Sequence, residues 1–277
     1  MTAASTTQSR PRALFDLYRT QARMAVAEQS QYRMRNLMSL VGFLTEPVVY
    51  LAVWTAVAKA KGGTVGGYTP GTLAAYFIVW TLVRNMNVVF TPYGFEWRIR
   101  TGEMSGRLLR PAHPVHYDLA YFAGWKVVWL AMWLPIAAAL VLLFRPTLHP
   151  NAAQVAAFAV AIWGAYLVRS LFQWLIGLVT FFTTRVAAIF EVYAAAELML
   201  SGRLVPMSLM PPWVRTLSGF LPFRSTFGFP IEAVVGNLGT RALLVGLGTQ
   251  LMWAVVGAGL LALTWRAAVR RYSAVGN

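Results

Sequence analysis

The chain has 277 residues, 58% of them hydrophobic and only 12% charged. Soluble domains carry roughly 25% charged residues, so the surroundings of this chain are expected to be mostly lipid. Its net charge of +15 would suggest nucleic acid in a soluble protein. Here the basic residues sit between apolar runs, where headgroups and the positive-inside rule account for them, and no nucleic-acid partner is expected. There is no cysteine, which excludes disulfides and cysteine-based metal sites.

The N-terminus lacks the apolar core and small-residue cleavage site of a signal peptide. In residues 11–35, Leu14, Leu17, Tyr18, Ala25 and Tyr32 share one helical side, and Arg12, Asp16, Arg19 and Arg23 another. That spacing predicts an amphipathic helix on the inner membrane surface, continuous with the first span, in preference to a solvated tail. A spanning helix needs roughly 20 mostly apolar residues. Six spans are expected, at about 37–58, 71–93, 118–144, 152–181, 187–205 and 240–265. With the N-terminus inside, the inner segments hold twice as many basic residues as the outer ones, so both termini are expected in the cytoplasm. The fold class is then an all-α integral membrane protein. Its parts are an N-terminal segment, 1–36, a membrane domain, 37–265, and a cytoplasmic tail, 266–277.

Ser201–Gly236 is too apolar for an open loop, yet Pro206, Pro211, Pro212, Pro222 and Pro230 break it too often for a span. It reads as a re-entrant hairpin, 202–236, of two short helices in the outer leaflet before the last span.

Between the second and third spans lies EWRIRTGEMSGRLLRPAHP, Glu96–Pro114, on the inner side. Glu96, Arg98, Arg100 and Glu103 decorate a short helix, Gly102 and Gly106 permit a reversal, and Pro111 blocks continuation. Leu108 and Leu109 form an apolar knob beside Arg110. A plain positive-inside loop needs the charges but not the knob. The combination suits docking into a groove of another protein.

Charges within the spans are costly and need a partner or water. Counting about 1.5 Å per residue places Glu46 and Arg84 at similar heights, and Arg169 and Glu191 both near the inner face. The pairs Glu46–Arg84 and Arg169–Glu191 are expected, with Glu197 left near mid-membrane. Glu197, Arg84, Asn85 and Asn87 are candidates to face a substrate pathway; structural pairing is the competing role. His113 and His116 have metal-like spacing but straddle Pro114 and lack a third ligand nearby. Asp118 is expected to cap the third span, and no catalytic set is suggested. Trp125, Trp129 and Trp133 form a stripe on the third span, expected to face lipid or pack.

The segment Glu96, Gly102, Glu103, Leu108, Leu109, Pro111 resembles the one that follows the second span in membrane subunits of ABC type-2 exporters. Met210–Pro222, MPPWVRTLSGFLP, resembles their outer hairpin. The resemblance implies two permease copies, as a homodimer or with a sister permease, and two cytoplasmic ATPase subunits that bind ATP and Mg. It implies that residues 96–111 and a second contact at Arg185 meet the ATPases. It further implies that substrate passes between two copies, lined by the first, second and fifth spans. The substrate would be a lipid, drug, glycoconjugate or polysaccharide leaving across a bacterial inner membrane. This chain has no GxxxxGK[ST] loop to cradle ATP phosphates. The alternatives are an ion-coupled carrier or channel, marked by inverted repeats that are not visible here, and a lipid-acting membrane enzyme.

Overall fold

The computed structural model describes residues 10–183, 186–236 and 238–272. Among them the regular elements are helices, apart from an isolated bridge between Val65 and Tyr68. α1 (Arg10–Gln31) and α2 (Arg33–Ala60) are separated at Tyr32. α3 (Pro70–Met86) opens with a reciprocal cap, in which the Thr69 hydroxyl accepts from the Thr72 amide and Thr72 bonds back. Val88–Thr91 is non-helical. Two β-branched residues weaken the helix there, and Thr91 is pushed out of the helical region by the proline that follows. α4 (Pro92–Arg100) and α5 (Glu103–Leu108) come next, joined through Gly102, whose φ of +76° suits a residue without Cβ.

α6 (Pro114–Phe144) and α7 (Ala152–Leu178) form a long pair, and a 3-10 turn extends α7 to Phe181. α8 (Val186–Leu200) is followed by three short helices, α9 (Pro212–Gly219), α10 (Phe223–Thr226) and α11 (Gly228–Val235), and then by α12 (Thr240–Arg270).

Three helical stretches among the described residues are long and apolar enough to cross a membrane: Pro114–Phe144, Ala152–Phe181 and Thr240–Arg270. The expected second span, 71–93, stops short because α3 ends at Met86, after 17 residues. The helix of the expected fifth span, 187–205, ends at Leu200, after 15 residues. The proline-rich segment holds three short helices rather than two. Every residue of α11 is buried, and the helix packs on α7 and α3.

α3 is the centre of the larger core cluster, with Tyr76, Phe77, Trp80 and Val83 fully buried. A second cluster joins Phe95 of α4 and Met104 of α5 to Trp174 of α7 and Leu261 of α12. The tryptophan stripe is used for packing. Trp125 stacks on Trp129 at 4.6 Å, and the Trp133 indole donates to the Thr81 hydroxyl at 2.7 Å.

The N-terminal segment is helical as α1, and its buried side lies along α6. Ala25 is fully buried and Gln29 nearly so, while Leu14 and Tyr32 are exposed. A Cβ on Gly124 of α6 would stand 2.4 Å from the Ala22 backbone of α1. Gly124→Val is therefore expected to cost about 1–3 kcal/mol and to lift α1. In this cysteine-free chain, a cysteine placed at Ala25 should react with a maleimide in the Gly124→Val background and stay protected without it. Equal protection in both backgrounds would show that α1 is not seated at Gly124.

Candidate functional site

Two sets of side chains carry the chemistry. The first mounts α4 and α5 on the start of α6. Arg98 is buried and forks onto both carboxylate oxygens of Asp118 at 2.8 Å. Its guanidinium also lies 3.6 Å from the centre of the Phe90 ring. Arg107 bonds Glu103 at 2.9 Å and reaches Asp118 at 3.5 Å. Met104 and Phe95 fill the space beneath, and the Ser105 and Tyr272 hydroxyls meet at 2.7 Å. Asp118 is thus a counter-ion for two arginines and not the expected helix cap. The cap of α6 is His113, whose Nδ1 accepts from the Val115 amide at 3.2 Å. Burial, then the neighbouring His116, hold the His113 pKa down at about 4, which keeps the imidazole a neutral acceptor. The His113 ring also lies 4.2 Å from that of Trp265, tilted by 55°, and His116 bonds the Tyr18 hydroxyl of α1 at 3.1 Å.

This mount divides the expected docking residues. Arg98, Glu103 and Arg107 are turned inward to Asp118 and one another, and Leu108 packs on the core. Glu96 is half-buried and pairs with Arg100 at 3.4 Å. What remains outward is Arg100, Leu109, Arg110 and Pro111, with Leu109 87% exposed. Trp97, 58% exposed, belongs with them and was not foreseen. Its signal was a large aromatic among charges on a short helix. Arg185 lies outside the described residues.

The second set surrounds the break after α3. Arg169 of α7 forks onto Glu197 of α8, with both contacts at 2.8 Å, and also donates to the Asn87 carbonyl. Lys126 of α6 donates to the Val88 carbonyl at 2.7 Å and sits 3.8 Å from the Tyr166 ring centre. The Asn87 amide donates to the Thr226 carbonyl of α10. Carbonyls freed where α3 ends are therefore answered by two cations, the buried Lys126 and the part-buried Arg169, so that open backbone inside the protein keeps a partner. Asn85 donates to the Thr81 carbonyl within α3.

Glu46 and Arg84 form the expected ion pair across α2 and α3, with side chains 31% and 29% exposed. The expected Arg169–Glu191 pair is replaced by Arg169–Glu197. Helices joined by a short turn match at equal distances from it, and Arg169 and Glu197 each lie about a dozen residues from the α7–α8 connection. Glu191 lies nearer the turn and accepts from the Tyr93 hydroxyl.

Residues 44–276 match the profile described as ABC-2 family transporter protein. The chain belongs to the ABC-2 transporter family. No curated protein and no solved structure matches it. Membership makes it a multi-pass membrane permease component, distinct from the ATPase, and implies ABC ATPase subunits as partners.

Breaking a buried pair leaves one charge uncompensated, at about 3–5 kcal/mol. Glu197→Gln should therefore sharply lower the thermal unfolding temperature in detergent, and adding Arg169→Met should recover much of the loss. A single substitution without effect would mean that the pair is not formed in the protein.

Proposed function

We propose that this chain is the membrane subunit of an ATP-driven exporter that carries its substrate outward by alternating access. The observation that carries this reading is the outward edge of α4 and α5. Trp97, Arg100, Leu109 and Arg110 are exposed on a turn held by the Arg98–Asp118–Arg107 cluster. A protruding apolar and basic edge on a firm mount can transmit force from a partner, whereas a plain loop would need neither Leu109 nor the mount. ATPase closure would press on this edge, and the energy would enter through different ATPase contacts in the two states. ATP and Mg would be bound by the partner, with residues 183–187 around Arg185 as a second contact.

In this reading six segments cross the membrane: α2, α3, α6, α7, α8 and α12. The shorter α3 and α8 are completed by the irregular chain at Val88–Thr91 and after Leu200. Both termini lie in the cytoplasm of a bacterium, α1 braces the inner surface, and α9–α11 close the outer side. Residues 1–36, 37–265 and 266–277 remain the working divisions. A second permease copy, identical or a sister chain, would cover the face bearing Glu46, Arg84, Val49 and Val53. Partly exposed charges there are costly against lipid and call for water or another chain. Lipid, drug, glycoconjugate and polysaccharide are the substrate classes this architecture suits.

The test is recovery of an ATPase with the detergent-solubilised protein from its native membrane, comparing wild type with Arg100→Glu plus Leu109→Asp. Both changes are at exposed positions, so folding should be intact. An ATPase held by wild type and reduced at least tenfold in the variant is expected. An ATPase absent from wild type, or held equally by both, would overturn the coupling role of this edge.

A further inference from the structure

Among Glu46, Arg84, Arg169, Glu197 and Arg203 the charges do not balance. Arg84 is taken by Glu46, and Arg169 by Glu197. Arg203, just beyond α8, lies within electrostatic reach of all four, yet it makes no ion pair and no side-chain hydrogen bond among the described residues. Its Nε is buried without a partner. The guanidinium carbons of Arg169 and Arg203 both lie 5.7 Å from the centre of the buried Phe227 ring. Three arginines against two glutamates leave one positive charge.

A part-buried guanidinium with a buried donor unused, in a cluster where arginines outnumber carboxylates, is a poor structural choice. It is a good receptor for an oxyanion, since its planar fork matches phosphate or carboxylate. We propose that Arg203 is a substrate-binding residue that takes the anionic oxygens of the transported molecule, a phosphate-bearing compound in the first instance. This rests on the reading of the α2–α3–α8 face as the pathway wall. It adds that the cargo is an anion.

The experiment is thermal unfolding of the purified full chain in a neutral detergent. The probes are inorganic phosphate, dihexanoyl phosphatidic acid and zwitterionic dihexanoyl phosphatidylcholine. Wild type should be stabilised by phosphatidic acid and not by phosphatidylcholine. Stabilisation by inorganic phosphate as well would assign the site to the oxyanion alone, and stabilisation by the lipid only would assign it to a lipid headgroup. Arg203→Gln should melt at or above the wild-type temperature without probe, because it removes an unpaired charge. It should bind the probe about 10- to 100-fold more weakly. Arg215→Gln, at an exposed site on α9, should respond as wild type does. If Arg203→Gln does not fold, Arg203→Lys serves instead, with affinity at least tenfold weaker because lysine lacks the fork. No anion response in wild type, an equal response to phosphatidylcholine, or an unchanged affinity in the Arg203 variant would overturn the site. An ATPase that co-purifies while the anion response is missing would sink this inference and leave the motor reading standing. An anion response without an ATPase would do the reverse.

Discussion

Arg169 holds the membrane core together. One guanidinium forks onto Glu197, donates to the Asn87 carbonyl and faces the Phe227 ring. It thereby ties α7 to α8, to the end of α3 and to the segment that holds α10 and α11. The constraint behind it is general. A charge or an open carbonyl at membrane depth is tolerated only where protein or water answers it. Here each of two costly features satisfies the other, because the cations answer the carbonyls of the unwound Val88–Thr91 segment.

That segment also joins the two working surfaces in sequence. On one side lies α3 with Arg84, on the other α4 and α5 with their outward edge. In the proposed exporter, a push on the edge would reach the core through a few non-helical residues whose carbonyls are gripped by Lys126 and Arg169. The mount of α4 and α5 repeats the logic, with Arg98 and Arg107 converging on Asp118 so that two short helices are fixed to the start of α6.

Much of this was legible in the sequence, where local rules decide. The long apolar runs of α6, α7 and α12, the helical N-terminal segment and the proline-broken segment before α12 all follow from composition and spacing. Glu46–Arg84 followed from depth counting because both sit in regular helix. Depth counting failed for Arg169, since the heights of α7 and α8 are set by the turn between them and not by an assumed membrane surface. The early end of α3 was missed because its signals, two valines and a Thr-Pro step, are weak beside an apolar run. The sequence marked the residues of the inner turn but not which faced out. Burial of Arg98 depends on Asp118, 20 residues away, and no local pattern announces such a partner. Arg203 was not singled out in the sequence, because its lack of a carboxylate partner is a tertiary property.

The claim on which the account stands is that the α4–α5 edge faces the compartment that holds ATP. A single cysteine at Leu109 in this cysteine-free chain, probed with a membrane-impermeant maleimide, tests it directly. The account predicts no labelling in intact cells and ready labelling in inside-out vesicles, with a cysteine at Trp213 of α9 giving the opposite pattern. Labelling of position 109 from the outside of intact cells would contradict it.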